Sequence, residues 1–286
     1  MHVVARTVAA VAGIEWAWAA DQLEELVTAA GWIYRQPFEG TVSCTFDAAP
    51  GRAGAFLFGA EVTAVYLNLH ESDGLGVPAR RDLFVAAVSE ISAQLGPPPM
   101  RCPGPDPSVG WWVAAGVLEI VDRAAVLDLW LRPAPRRVPP PTIPAADRRV
   151  NRAAPRTDHA ADRPVDRAAP ETDRATDGRV DWAGLEEGFA AAVASLVAGT
   201  TVRLESTAEQ APGDATGTLV ELRQAEDCLT VRVGDGTETI QWPAAGQAYR
   251  TIAGNLVAVL RERAGDPADL VYRSALPVPH LPLRRA

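Results

Sequence analysis

Residues able to do acid, base or nucleophilic chemistry come closest together at His70-Glu71-Ser72-Asp73. Histidine, carboxylate and hydroxyl are the groups that a hydrolytic triad uses, but a triad is defined by convergence in space. Four consecutive side chains at the end of a strand cannot all converge, and the same residues read more simply as a solvated junction between strand and loop. His2 and His280 lie near the termini and His159 in a polar stretch, which leaves His70 as the histidine that a folded cleft could hold. An enzyme of unrecognised type with its site near His70 is therefore the alternative function. Gly74-Leu75-Gly76 lacks the Lys-Ser or Lys-Thr of a phosphate-binding loop, and no third glycine completes a dinucleotide fingerprint. All 27 basic residues are arginine, which removes Schiff-base catalysis and lysine-held cofactors. Glu24-Glu25 and Glu186-Glu187 fall on exposed faces of expected helices and read as solvated charge. Cys44, Cys102 and Cys228 are odd in number and widely spaced, so buried free thiols in a reducing cytoplasm are expected in place of a disulfide framework or a zinc site. No catalytic, cofactor or metal site is expected.

Charge narrows the class of partner. Seven arginines face fifteen acidic residues in 1–131, and nine face thirteen in 182–286. Both regions are acidic and their arginines scattered, which argues against a nucleic-acid surface. The apolar run Thr7 to Ile14 follows Arg6, but Glu15, Trp16 and Trp18 break the pattern of an export signal. No run of about 20 apolar residues offers a membrane span. The expected location is the cytoplasm, and the expected partner is another protein.

Periodicity places the elements around these residues. Val8–Val11 opens with a short helix, and Leu23, Leu26, Val27 and Ala30 mark an amphipathic helix over Ala20–Ala30 that stops at Gly31. Strands follow at Thr41–Phe46, Ala55–Phe58 and Glu61–Leu69 as an antiparallel meander, with Asp47–Gly54 as a turn. Pro78 starts a helix with Phe84, Val88, Ile91 and Leu95 on its apolar stripe, closed by Gly96. Val109–Val113, Val117–Val121 and Val126–Leu131 are further strands. Beyond the linker, Asp181 caps a helix carrying Trp182, Leu185, Phe189, Val193 and Leu196, expected to run to Gly199. Four strands follow, Thr200–Glu205, Thr216–Leu222, Cys228–Val233 and Glu238–Trp242, the last two joined at Gly234-Asp235-Gly236. A helix through Tyr249, Ile252, Leu256, Val259 and Leu260 and a short strand at Leu270–Arg273 complete the pattern.

The fold class is therefore α+β: two helix-flanked antiparallel-sheet domains, 1–131 and 181–275, joined by a linker over 132–180 and followed by a flexible tail over 276–286. Their matching element order suggests an internal structural repeat. The linker begins as a proline tract. It continues as a 15-residue repeat in which Asp147–Pro155 recurs as Asp162–Pro170, with a truncated third copy from Asp177. Eight Arg balance eight Asp and Glu between 147 and 181, and no aromatic residue occurs. Such a segment has too little apolar surface to offset its ordering entropy and should remain disordered.

Tryptophan is the one compositional excess, with eight in the chain. Most should pack helices onto sheets. Trp16, Trp18, Trp32, Trp111 and Trp182 are the candidates for an aromatic surface that meets a partner. Ile14-Glu15-Trp16-Ala17-Trp18 with Gly31-Trp32, Gly96-Pro97 and Val109-Gly110-Trp111 resembles an uncharacterised actinobacterial protein family. Residues 181–273, opening on Asp181-Trp182, resemble actinobacterial domains related to YbjN and to type III secretion chaperones. That resemblance implies a module that holds a partner protein without enzymatic activity. Chaperones of that kind are usually single-domain dimers, whereas this chain has two modules that could pair with each other. The expected function is non-enzymatic protein binding, chaperone-like or immunity-like, through coverage of an apolar or strand-edge surface. An apolar groove between helix and sheet favours that reading, and a deep polar pocket of carboxylates around His70 favours the enzyme.

Overall fold

The computed structural model describes residues 2–34, 43–48, 51–71, 74–134, 180–207 and 218–286. The linker and its repeat, residues 135–179, lie outside them. The chain opens with α1 (His2–Gly13), longer than the turn expected at Val8–Val11 because the buried valines Val4, Val8 and Val11 extend its stripe backwards. A 3-10 turn (Ala20–Gln22) and α2 (Leu23–Ala29) bury Leu23, Leu26 and Val27, and Gly31 then takes φ +71°, where a side chain would be penalised.

The first sheet follows. Strands β1 (Ile33–Tyr34), β2 (Ser43–Ala48), β3 (Gly51–Phe58) and β4 (Glu61–Glu71) run antiparallel in sequence order. The turn expected over Asp47–Gly54 is largely strand, with Asp47 opposite Arg52. Gly54 sits inside β3 because Tyr66 lies across it, and a Cβ there would come 2.7 Å from the ring. Helix α3 (Val77–Leu95) buries Phe84, Val88 and Ile91 as its stripe requires, and ends at Gly96 with φ +81°. After it come β5 (Met100–Cys102), β6 (Ser108–Val113), β7 (Gly116–Asp122) and β8 (Val126–Arg132). The sheet order is β1-β2-β3-β4-β8-β7-β6-β5. Val65, Leu67, Leu118, Ile120, Leu129 and Leu131 share one core with the helices. On the other face Trp130 packs with Ala64, Tyr66 and Val121, under the guanidinium groups of Arg123 and Arg132 at 4.9 and 5.0 Å.

In the second half, α4 (Trp182–Ala194) starts at Asp181, whose Oδ1 accepts a hydrogen bond from the Gly184 amide at 2.7 Å. It stops at Ser195, short of Gly199, and the side chain of Arg81 takes the carbonyl of Ala194. Strands β9 (Thr201–Ser206), β10 (Thr218–Gln224), β11 (Cys228–Val233) and β12 (Gly236–Gln241) form a meander. Helix α5 (Gly246–Ala264) leads to β13 (Leu270–Ser274). The last residues, read from sequence as a flexible tail, run back over this half with Val278 buried, and β14 (Arg284–Arg285) lies parallel to β13. The order is β12-β11-β10-β9-β13-β14.

Both halves are thus α+β with antiparallel-rich sheets, as expected. Their topologies differ, which corrects the suggestion of an internal repeat. After its long helix the first half returns β8 to β4, the last strand of the meander, whereas the second returns β13 to β9, the first. Residues 1–134 and 180–286 form one compact unit in which α3 packs against α4 and α5. Each half lends the other a core residue. Trp242 belongs to the first core and meets Phe84 at 6.1 Å, while Val77 belongs to the second.

Candidate partner-binding groove

Polar side chains with unusual surroundings concentrate where α3 meets the second half. Arg81 is buried, paired with the Asp122 carboxylate, and donates to the carbonyls of Ala194 (3.1 Å), Gly104 (3.0 Å) and Pro105 (3.3 Å). Arg80 also reaches Asp122, at 3.5 Å, and donates to the Arg123 carbonyl at 2.8 Å. Asp82, next along α3, accepts from the Gly246 amide at the start of α5 at 2.8 Å. Burial pushes the Asp122 carboxyl up, against the pull of Arg81 and Arg80, and pushes Arg81 down, against the pull of Asp122. The pair stays ionised because a guanidinium with its donors spread over a carboxylate and three carbonyls does not give up a proton. With its hydrogen bonds turned inward, the cluster fastens the halves together and offers no group to a substrate.

A candidate groove lies elsewhere in the second half, between β12 and α5. Strand β12 is the edge of its sheet, polar and exposed apart from half-buried Ile240. It is joined to β11 by the two-residue turn Gly234-Asp235, with Gly234 at φ +56°. Pairing puts Glu238 opposite Val231 and Gly236 opposite Val233. Helix α5 packs over β10, so its flank and the hairpin enclose a cleft of about 300 Å³. Buried Val231 and half-buried Val233 form its floor, and buried Ile252 and Leu256 with half-buried Val259 form its wall. Gly236, Thr237, Glu238 and Asn255 line its rim. Among the described residues, two further clefts are larger but charged. One of about 560 Å³ has Arg101, Glu226 and Asp227 in its lining, and one of about 630 Å³ has Arg203 and Glu221, themselves paired at 2.8 Å.

The candidate aromatic residues are placed as follows. Trp16, Trp32 and Trp111 are buried in the first core, and Trp111 donates to the Gly96 carbonyl at 2.9 Å. Trp18 is half-buried, stacked on Trp16 at 4.4 Å, and donates to the Ala115 carbonyl at 2.7 Å. Trp182 is half-buried with Arg261 over its ring at 5.5 Å. The structure gathers none of the five into a common surface: they pack, the role expected of most tryptophans here. Among the described residues Trp112 and Phe58 are the large aromatics left most open, at 56% and 79% exposure, and Cys102 is exposed and Cys228 half-buried, where buried thiols were expected. His70 is exposed near the end of β4 beside exposed Glu71, and Ser72 and Asp73 lie outside the described residues. No group of three or more His, Cys, Asp or Glu among the described residues could hold a metal ion.

Ile252 and Leu256 are buried as their place on the helical stripe requires, and Val259, expected on the same stripe, is half-buried at the groove. Val259 is half-buried because it borders the cleft beside exposed β12, a neighbour that a helical period does not report. Fold and groove together define an α+β protein with an open strand edge beside an apolar helix flank. Residues 2–132 match the model of a family of unknown function (DUF6301). No curated protein and no solved structure matches the chain. No helix among the described residues is long and apolar enough to cross a membrane.

Proposed function

We propose that the chain is a non-enzymatic protein-binding protein, chaperone-like or immunity-like and cytoplasmic, which receives an extended segment of its partner between β12 and α5. One observation carries this reading: the exposed main chain of an edge strand lies directly beside an apolar wall. An added strand gains main-chain hydrogen bonds from β12 while every second side chain enters the cleft, the division of labour by which strand addition combines affinity with selectivity. A cleft of this size holds two or three aliphatic side chains, which suits a short segment. The likeness of residues 181–273 to YbjN and type III secretion chaperone domains supports the same reading.

The test is an array of decapeptides with alternating apolar residues, probed with the full chain and with Val259→Glu. Peptides bound by the wild type should lose at least tenfold in affinity in the variant, with the thermal transition unchanged, since Val259 is only half-buried. Binding indifferent to Val259→Glu, or none at all, rejects the proposal.

A further inference from the structure

We infer that the segment this groove takes is the free carboxyl-terminal end of a partner polypeptide, an assignment that rests on the groove being a strand-addition site. The residue that points to it is Arg263. Ile252, Leu256, Val259 and Arg263 follow one another along one flank of α5, so the arginine comes one turn after the apolar wall ends. It stands at the β11–β12 turn, its Nη2 3.5 Å from the position a Cβ on Gly234 would occupy. It is half-buried, and among the described residues no carboxylate or carbonyl lies within ion-pair or hydrogen-bond distance of it. Asp235, at the tip of the turn, is exposed and outside that distance. A cation standing one helical turn beyond an apolar cleft, with its donors unspent, is complementary to an anion arriving there.

Strand polarity decides which anion. Strand β12 runs from Gly236, two residues after the Gly234 near which Arg263 stands, towards Gln241, and pairs antiparallel with β11. A guest that adds in the same antiparallel sense runs the other way and finishes at Gly236, so its last residue meets the arginine. The lengths agree. The eleven steps of helix from Ile252 to Arg263 span about 16 Å, and the four steps of strand from Gly236 to Ile240 span about 13 Å, the remainder being taken up by the reach of the arginine side chain. Side chains of the guest that face α5 stand opposite Gly236, Glu238 and Ile240. The terminal residue finds space over Gly236 and an apolar wall at Val259. The third from the end faces the Glu238 carboxylate, which favours a basic side chain. The fifth lies along Ile240 and Ile252.

The probe is the amino-terminally fluorescein-labelled peptide Gly-Ser-Ile-Thr-Lys-Thr-Val, prepared as the free acid and as the carboxyl-terminal amide and titrated by anisotropy against the full chain. The free acid should bind at least tenfold more tightly than the amide. Arg263→Gln should bring the acid down to the affinity of the amide and leave the amide unchanged, and Arg263→Lys should restore part of the difference. Equal binding of acid and amide by the wild type overturns the carboxyl-terminal assignment while leaving the strand-addition groove in place. Failure of both to bind up to millimolar concentration overturns the groove and this inference together.

Discussion

Replacing Gly246 with alanine should destabilise the protein by about 2–5 kcal/mol, although the same change in the same helix is favourable elsewhere. Alanine at a solvent-facing helical position gains up to about 1 kcal/mol over glycine. Gly246 begins α5 where the helix meets α3. A Cβ there would lie 2.5 Å from the Pro78 carbonyl carbon, closer still to its oxygen, and 3.0 Å from Asp82 Oδ2. Backbone cannot swing aside as a side-chain tip can, so α3 and α5 must separate. Overpacking of this kind costs about 1–3 kcal/mol. The Gly246 amide also loses its 2.8 Å bond to the Asp82 carboxylate, and a hydrogen bond to a charged group contributes about 1.5–3 kcal/mol. Gly254 is the control: its added Cβ would meet only the end of the Glu186 side chain, at 3.4 Å, and alanine should stabilise by about 0.5–1 kcal/mol. Urea denaturation followed by tryptophan fluorescence measures both variants, with Trp242 reporting from the contact itself. If Gly246→Ala is neutral or stabilising, the close approach of α3 to α5, and the joining of the halves that rests on it, is wrong.

Three further outcomes are expected. Arg81→Met leaves a buried Asp122 carboxylate with only Arg80 at 3.5 Å and three carbonyls without their donor. It should lower urea stability by about 3–5 kcal/mol, and Arg81→Met with Asp122→Asn should recover part of that loss; a single-variant loss below about 1 kcal/mol refutes the role given to the pair. Burial, aided by the positive charges of Arg80 and Arg81, holds His280 below its ordinary value of 6.5. The unfolded chain therefore takes up the proton first: the contribution is complete above pH 6.5 and is lost as pH falls through the lower folded-state value. The effect is modest because the side chain is partly open to water. It should vanish from a pH series of thermal transitions in His280→Asn, a residue that tolerates the φ of +64° found here. Finally, proteolysis within 135–179 should yield two fragments that still co-elute on gel filtration, and fragments that separate would contradict the shared core.

Much of this architecture was legible because local period and burial agree. The stripes of α3 and α5, the glycine stops at Gly31 and Gly96, the Asp181 cap and the Gly234-Asp235 hairpin all follow from side chains within a few residues of each other. The short edge strands β1 and β5 were missed: two or three residues show no alternation, and pairing alone makes them strands. Arg81 did leave a trace, since it stands three residues before Phe84 on an otherwise apolar stripe, and only a buried acceptor set makes that position tenable. Its partners, Asp122 and the end of α4, are 41 and 113 residues distant in the chain. The groove left no trace, because it is lined by residues 231–238 and 252–259, two segments that only the tertiary fold brings together. The return of β13 to β9 is equally non-local.

The exchange of Trp242 for Val77 between the cores separates inheritance from folding. The family resemblance ends at residue 132, but the hydrophobic core of that stretch is completed by a tryptophan 110 positions later. Its α3 also carries Arg81 and Asp82, whose backbone partners Ala194 and Gly246 lie beyond the same boundary. A polypeptide cut to the limits of the resemblance would expose Phe84 where Trp242 now covers it and leave Arg81 one acceptor short. The segment that matches the family model is thus smaller than the segment that satisfies its own chemistry, and the second is the one to express.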